Sequence, residues 1–494
     1  MNIVMLLEMA AEGMGDRLAV GTRDQALTYA QLLDEARRGA GALQAAGVER
    51  SGVVAVNSAS IPVQLFASAI AGVPFSPINY RLADDRLRAI VGRLAPAVVE
   101  ADDDAVARIA GIDGVEVLSH DQAAARLATA EPVEDAHTDP DAVAIWLFTS
   151  GTTGDPKVAL LRHRHLVAYV LSTVEYMAAG EHEASLVSVP PYHIAGMMAI
   201  LSATYSGRRI VYLPQFDPDE WVRIAQEEDI THAMVVPTML GRVLDAIERR
   251  GTTLPALAHL SYGGGRMPVS IVSRAMDLLP HVGFVNAYGL TETSSTIAVL
   301  GPADHREAHD SNDPSVVARL GSVGRPLPIL ELEIRDPDGK EVATGETGEI
   351  WVRGEQIAGE YLERNALTDD GWFPTNDAGY LDAAGFLFVE GRLDDVIVRG
   401  GENISPGEVE DVLLQHEAVA EVAVVGVPDD EWGEVVAAAV VLTDGGRADE
   451  AELQEWVRTQ LRSSRVPARV DIRRDLPYNE TGKLLRRVLK GELS

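Results

Sequence analysis

The first half of the chain alternates short apolar runs with amphipathic stretches. Over 30–46 the apolar residues recur at helical spacing, and Gly47 marks the end of the predicted helix. A strand at 53–56 and a helix at 61–71 follow, and the same rhythm returns from 142 to 300. Alternating strands and helices predict parallel or mixed sheets with flanking helices, which is an α/β fold.

The pattern changes twice further along the chain. Residues 321–391 contain short alternating strands separated by turn residues, which predicts a small antiparallel or barrel-like layer. After about residue 392 the pattern predicts a helix at 406–415 and two strands at 419–427 and 434–442. The sequence therefore predicts a large N-terminal α/β domain followed by a small α+β domain of about 100 residues.

Composition narrows the possible partners and the compartment. The 494 residues carry 42 basic and 75 acidic side chains, a net charge of −33, so we expect no nucleic-acid partner. Cysteine is absent, which excludes disulfides and thiolate chemistry and fits a reducing compartment such as the cytoplasm. Residues 185–207 carry no charge, but Pro190, Pro191 and several serines interrupt them. We therefore expect a buried strand, loop and helix there, with no transmembrane segment and no secretion signal.

A run of small and hydroxylated residues follows the predicted buried strand at 142–148. Such residues let backbone N–H groups approach phosphate oxygens closely. Lys157 ends the run and is one of only four lysines in the chain, but the spacing is not that of the common nucleotide P-loop. The candidate phosphate-binding residues are Thr149, Ser150, Gly151, Thr152, Thr153, Gly154 and Lys157.

This run resembles the phosphate-binding loop of the adenylate-forming superfamily, which includes acyl-CoA synthetases, peptide-synthetase adenylation domains and luciferases. Further segments resemble that family's other motifs, in the same order along the chain. They lie at 190–196, 261–268, 288–293, 372–377, 391–406 and 482–483. The resemblance spans nearly the whole chain and is closest to the acyl-CoA synthetase branch.

The resemblance implies an enzyme that joins a carboxylic acid to AMP, using ATP and Mg²⁺. Glu292 would hold Mg²⁺ through water, because this ion prefers hard oxygen ligands. Thr291 would donate to the α-phosphate, and Lys483 would bridge the α-phosphate and the substrate carboxylate as charge builds in the transition state.

The same resemblance assigns the rest of the nucleotide site. Tyr288 would lie against the adenine, Asp377 would accept hydrogen bonds from both ribose hydroxyls, and Arg392 would help to hold the ribose. The other implied nucleotide contacts are Gly263, Gly264, Gly265, Asn286, Ala287 and Gly289.

A second step, transfer of the acyl group to coenzyme A, is also implied. An N-terminal domain of residues 1–391 and a mobile C-terminal domain of residues 395–494 would meet at a hinge near 392–394. Rotation about Asp394 would replace the Lys483 loop with the loop of Gly400 and Gly401, where small residues leave room for the pantetheine arm. Trp432 is a further candidate contact for coenzyme A, and His193 would position the reactants.

Three positions and one short segment depart from the family pattern. Val158 stands where glycine is usual, and Arg162 stands where a small hydroxylated residue is common. Asn376 replaces a glycine, although Asn adopts positive φ more readily than most residues. The segment 464–467 also lacks the usual aromatic–Lys pattern. The residues that would bind the nucleotide end of coenzyme A are therefore not assigned.

The acid is expected to be apolar. Residues 190–198 contain no carboxylate that could bind a substrate ammonium group, so an amino acid is disfavoured. The expected pocket residues are His193, Ile194, Met197, Met198, Met234, Val236, Ala287 and Gly289. They favour an aromatic, alicyclic or short-to-medium aliphatic acid, and methionine adapts to many shapes.

Two other function classes stay open. One is an acyl-AMP ligase that loads a carrier protein, and the other is a degenerate nucleotide-binding module. A homodimer is also open.

Overall fold

The computed structural model describes residues 1–134, 139–149, 156–478 and 484–494. The first stretch contains α1 Val4–Met14, β1 Leu18–Val20, β2 Leu27–Thr28, α2 Tyr29–Ala46, β3 Arg50–Val54, α3 Ser60–Ala71, β4 Phe75–Pro77, α4 Asp84–Gly92, β5 Ala97–Ala101, α5 Asp103–Ile109, β6 Val115–Ser119 and α6 His120–Thr129.

The second stretch continues the alternation. It contains β7 Val143–Thr149, β8 Lys157–Arg162, α7 His163–Thr173, β9 Ala184–Val187, α8 Ile194–Ser206, β10 Arg209–Tyr212, α9 Pro218–Glu227, β11 His232–Val235, α10 Pro237–Arg250, β12 His259–Gly263, α11 Val269–Leu278, β13 Gly283–Leu290, β14 Ser295–Leu300, α12 Pro302–Asp310, α13 Pro314–Val317 and β15 Arg325–Pro326.

The remaining elements form the two smaller sheets. They are β16 Glu331–Arg335, β17 Gly348–Arg353, β18 Phe373–Leu381, β19 Leu387–Arg392, β20 Ile397–Arg399, β21 Glu402–Ile404, α14 Pro406–Leu413, β22 Val419–Asp429, β23 Gly433–Leu442, α15 Glu450–Gln460, β24 Arg469–Arg473 and α16 Arg486–Leu493.

Two large sheets form the body of the protein, as the alternating pattern predicts. One has nine strands in the order β15-β14-β13-β12-β11-β9-β10-β1-β2, and its six central strands, β13 to β1, are parallel. The other has six strands in the order β6-β5-β3-β4-β7-β8, with only β8 antiparallel. Residues of α1, α3 and α8 fill the apolar core that joins the two sheets. The α/β fold class is confirmed.

The helix predicted at 30–46 shows why local sequence is informative here. Thr28 and Gln31 form a capping box that satisfies backbone groups at the start of α2. At the other end Gly47 adopts φ +63°, the left-handed conformation that closes a helix at low cost. The helix and its two boundaries therefore follow from residues within the segment or directly beside it.

The two smaller sheets agree with the change of pattern after residue 321. The sheet β16-β17-β18-β19 is antiparallel and packs its apolar side chains against β14. The C-terminal residues form a five-stranded sheet, β21-β20-β23-β22 with β24 beside β23, around a core of its own. The predicted helix at 406–415 ends earlier, at Leu413.

The sequence pattern predicts no elements over 79–141, where the structure has α4, β5, α5, β6 and α6. The charge-free residues 185–207 divide into β9, a loop and α8, as expected. Within the described residues, no helix has the length and apolar character needed to cross a membrane.

Candidate active site

The predicted site residues gather where the carboxyl ends of parallel strands meet. In open α/β sheets this edge is the usual place for ligands. β7 ends at Thr149, and Lys157 begins β8 directly opposite it. β13 ends at Leu290, directly after Tyr288 and Gly289, and a 3₁₀ turn, Thr291–Thr293, follows.

Tyr288, Asp377 and Arg392 form one hydrogen-bonded cluster. The Tyr288 hydroxyl donates to Asp377 Oδ2 at 2.6 Å, and Arg392 Nε lies 3.1 Å from Asp377 Oδ1. Asp377 and Arg392 face each other in the pairing of β18 with β19. Burial and the neighbouring Asp377 carboxylate raise the pKa of Tyr288 well above its ordinary value, so its hydroxyl remains a donor. The cluster fixes the Asp377 carboxylate at the edge of the site.

Backbone conformation supports this cluster. Asn376 adopts φ +61°, so the substitution of Asn for the family's glycine is accommodated as expected. Thr375 holds the turn, because its hydroxyl donates to the Ile350 carbonyl and accepts from the Asp377 N–H. The Thr375 carbonyl in turn accepts from Arg392 Nη1 at 2.9 Å.

Two glycines are required by close backbone approaches. A Cβ on Gly289 would lie 1.8 Å from the Ser295 carbonyl oxygen, and a Cβ on Gly263 would lie 2.3 Å from that of Ala287. Neither position can hold a side chain without moving the backbone. The strands β12, β13 and β14 therefore pack closely along the predicted adenine side of the site.

Glu292 is held through its backbone and its carboxylate. Its carbonyl accepts from the N–H groups of Ala358 and Gly359, both at 2.9 Å. Its carboxylate oxygen Oε1 accepts from the hydroxyl of Tyr361. Sequence reasoning missed Tyr361, which carries no motif signal and lies 69 residues away.

His193 stands at the start of α8, next to the expected acid pocket. Desolvation, and then the charge of Arg81, lower the pKa of His193 to about 4, so the ring is neutral near pH 7. Its ring centroid lies 4.9 Å from that of Tyr192. A neutral imidazole can orient a nucleophile or accept its proton.

The expected pocket residues divide into two groups. Met234 on β11, Ala287 on β13 and Val236, which directly precedes α10, are only partly buried. Met197 and Met198, in contrast, are 0% and 3% exposed and belong to the core between the two sheets. The partly buried group, with Ile194, is the better placed to contact a ligand.

The candidate coenzyme A residues lie together on the C-terminal domain. The Gly400 N–H donates to the Trp432 carbonyl at 2.8 Å, and Trp432 is 45% exposed. The Arg399 guanidinium lies 5.6 Å from the Trp432 ring. In the divergent segment, Arg465 pairs with both Glu402 and Glu408.

Asp394, the predicted hinge residue, lies in the 3₁₀ turn Leu393–Asp395, between β19 and β20. Two polar contacts join the C-terminal domain to the body nearby. Arg266 Nη2 lies 2.5 Å from Asp411 Oδ2, and the Ser405 hydroxyl donates to the Glu390 carbonyl at 2.7 Å. Ser150, Gly151, Thr152, Thr153, Gly154 and Lys483 lie outside the described residues.

Magnesium fits this arrangement. Tyr361 occupies one oxygen of the Glu292 carboxylate, and in the described part of the chain no other hydrogen bond reaches that carboxylate. The second oxygen is therefore available to a metal-bound water. The described residues contain no cage of three or more His, Asp or Glu side chains, and Mg²⁺ commonly binds through one or two carboxylates, water and substrate phosphates.

Comparisons with known proteins agree over the length of the chain. Residues 7–362 match the family model described as AMP-binding enzyme, and residues 408–483 match AMP-binding enzyme C-terminal domain. Feruloyl-CoA synthase of an Amycolatopsis species is 34% identical over 95% of this chain and 93% of its own length. 2-Succinylbenzoate–CoA ligase of Bacillus licheniformis is 34% identical over 98% of both chains.

A solved structure is similar as well. o-Succinylbenzoate CoA synthetase from Bacillus subtilis, in complex with its acyl-adenylate intermediate, superposes with a TM-score of 0.85 at 29% identity. The match covers 98% of this chain and 97% of that one. The same enzyme has also been solved with ATP and a magnesium ion, and that structure matches with a TM-score of 0.84.

Proposed function

This chain belongs to the AMP-binding enzyme family, and we propose that it is an ATP-dependent carboxylate–CoA ligase for aromatic or similarly apolar acids. The observation that carries the proposal is the fixed cluster of Tyr288, Asp377 and Arg392 beside Glu292. This arrangement provides a carboxylate for a ribose next to a carboxylate for a metal. The reaction takes place where ATP and coenzyme A are found, in the cytoplasm.

In the first step a carboxylate oxygen of the acid attacks the α-phosphorus of ATP, and pyrophosphate leaves. Asp377 accepts hydrogen bonds from the ribose, and the loop from Thr149 to Lys157 cradles the departing phosphates. Lys483 stabilises the negative charge shared between the carboxylate and the α-phosphate. Thr291 donates to the α-phosphate. The product is an acyl-AMP.

Glu292 is the residue that would hold Mg²⁺, through water. When bound, the ion supplies charge neutralisation for the β- and γ-phosphates. Local positive charge is needed because the chain as a whole carries −33. Lys157, Arg392 and Lys483 supply it at the site.

The acid binds between α8 and the central strands of the nine-stranded sheet. Ile194, Met234, Val236 and Ala287 offer apolar contacts there, and a flat aromatic acid buries its ring against such a surface. Feruloyl-CoA synthase and 2-succinylbenzoate–CoA ligase, by their names, act on aromatic acids. These similarities favour the aromatic class over aliphatic acids.

In the second step the thiol of coenzyme A attacks the acyl carbonyl carbon, and AMP leaves. His193 is neutral and stands beside the reacting groups, where it positions the thiol. The C-terminal domain, residues 395–494, turns about Asp394 on the N-terminal domain, residues 1–391. The turn brings Gly400 and Gly401 to the site, with Trp432 as a contact for coenzyme A.

A second acceptor is favoured by one observation. Arg465 is paired with Glu402 and Glu408, so the divergent segment 464–467 offers less positive charge to the phosphates of coenzyme A. A carrier protein that bears phosphopantetheine would not need that charge. This alternative shares the first step.

A single screen tests the proposal. The enzyme is mixed with ATP, Mg²⁺, coenzyme A and one acid at a time: ferulate, indoleacetate, 2-succinylbenzoate, decanoate or phenylalanine. We expect acyl-CoA and AMP with at least one aromatic acid, measured by mass spectrometry, and none with phenylalanine. Acyl-AMP without acyl-CoA would favour the carrier-protein alternative. No acyl-AMP with any acid would contradict the proposal.

A further inference from the structure

Residues 358–362, here called the clamp segment, connect the two parts of the ATP site. At one end the N–H groups of Ala358 and Gly359 both donate to the carbonyl of Glu292. Three residues later the segment runs beside β8, the strand that begins with Lys157. The clamp segment therefore touches both the proposed metal ligand and the phosphate-binding strand.

The pairing with β8 is regular. The Leu362 N–H donates to the Val158 carbonyl, and the Leu160 N–H donates to the Glu360 carbonyl, both at 2.9 Å. Tyr361 lies opposite Ala159 in an antiparallel bridge. The clamp segment is thus a short extra strand attached to β8 through its backbone.

A strong ion pair fixes the same segment a second time. Arg162 Nε and Nη2 lie 2.8 Å from the two carboxylate oxygens of Glu360, in a bidentate arrangement. Such planar pairs fix geometry as well as charge. Arg162 is one of the departures from the family pattern, and this pair gives the reason for it.

The side chain of Tyr361 points from this fixed segment into the ATP site. Its hydroxyl donates to Glu292 Oε1, and its ring centroid lies 5.7 Å from Lys157 Nζ. This contact engages Glu292 Oε1, and among the described residues no hydrogen bond reaches Oε2.

A purely structural role for this hydroxyl is hard to support. The clamp segment is already held by four backbone hydrogen bonds and by the pair of Arg162 with Glu360. The hydroxyl adds nothing to that attachment, but it fixes the rotation of the one carboxylate proposed to hold the metal. A carboxylate free to rotate would lose entropy each time the metal bound.

We propose that Tyr361 is a positioning residue for the binding of magnesium–ATP. It orients the Glu292 carboxylate and holds it at a fixed position relative to Lys157. The inference rests on the proposed function, because it assigns a metal to Glu292. It predicts an effect on the metal-dependent part of ATP binding and not on ATP binding in general.

The test is the variant Tyr361→Phe, which removes one hydroxyl and keeps the ring. ATP binding to the full chain is measured by calorimetry, without any acid, at a series of Mg²⁺ concentrations and once with EDTA. We expect the half-saturating Mg²⁺ concentration to rise about tenfold, which is the lower end for the loss of a hydrogen bond to a charged group. ATP binding in EDTA should change by less than about twofold.

Two further variants act as controls. Tyr176→Phe also removes a tyrosine hydroxyl, one that donates to the distant Met9 carbonyl, and should leave the Mg²⁺ dependence unchanged. Glu360→Gln weakens the pair with Arg162 but keeps the Tyr361 hydroxyl. It should lower the melting temperature more than Tyr361→Phe does and shift the Mg²⁺ dependence less.

An unchanged Mg²⁺ dependence in Tyr361→Phe would overturn the inference, and so would equal weakening of ATP binding with and without Mg²⁺. In both cases the wild-type enzyme would still form acyl-AMP, so the proposed function would stand. If the wild-type chain bound no magnesium–ATP at all, the proposed function would fail and the inference would fail with it.

Discussion

The predicted site residues that precede the hinge and those of the C-terminal domain are held in different ways. Before the C-terminal domain, Asp377 binds both Tyr288 and Arg392, and Glu292 is held by its backbone and by Tyr361. On the C-terminal domain, Gly400 and Trp432 contact each other. Two polar contacts, Arg266 with Asp411 and Ser405 with the Glu390 carbonyl, join the domains near the hinge.

This difference suggests a division of work. Groups that bind the same part of the substrate in both steps belong on the rigid body, because a fixed geometry lowers the cost of binding. Groups needed in only one step belong on the part that moves. Substitutions of the residues proposed to bind the ribose should therefore affect both steps, and substitutions in the C-terminal domain should separate them.

The largest effect is expected from Lys483→Ala. Loss of this charge should slow acyl-AMP formation by about a thousandfold, since Lys483 is proposed to act where charge builds in the transition state. Thioester formation from supplied acyl-AMP should change by less than about threefold. Pyrophosphate exchange measures the first step, and acyl-CoA release from acyl-AMP measures the second. Equal loss of both would contradict a lysine that serves one step only.

A substitution in the body should behave differently. Asp377→Asn leaves Arg392 without its ionic partner and weakens the ribose contact. The loss of hydrogen bonds to a charged group predicts a rise of about tenfold in KM for ATP. The KM for acyl-AMP in the thioester step should rise by a similar factor, because the same ribose is bound. A rise in the KM for ATP without a rise in the KM for acyl-AMP would contradict the proposal that Asp377 serves both steps. An unchanged melting temperature would exclude a folding defect.

The predicted hinge offers a test whose effect is confined to one step. Proline at 394 fixes φ and removes a backbone N–H, so Asp394→Pro should hinder rotation. We expect thioester formation to slow by about tenfold, while acyl-AMP formation changes by less than about threefold. Asp394→Ala keeps backbone freedom and serves as the matched control. The opposite pattern, with the first step slowed more, would place the hinge elsewhere.

Local features could be predicted from the sequence, and long-range ones could not. The boundaries of α2 follow from Thr28 and Gly47, which lie at its own ends. Asn376 was expected to accept positive φ, and it does. These conclusions need only the residues in the segment.

The features that could not be predicted from the sequence are contacts between distant segments. Tyr361 reaches Glu292 across 69 positions, and Arg162 reaches Glu360 across 198. No periodic pattern links such pairs, since their distance along the chain is set by the whole fold. Val158, another departure, is buried in the core beneath the six-stranded sheet, which a single sequence does not reveal.

The central claim is that the acid becomes joined to AMP through its own oxygen. It is tested by supplying an acid labelled with ¹⁸O in both carboxylate oxygens, with ATP, Mg²⁺ and coenzyme A. If the acid attacks the α-phosphorus, the released AMP carries one ¹⁸O atom, read by mass spectrometry. Unlabelled AMP, or ADP with labelled phosphate, would contradict the acyl-AMP route.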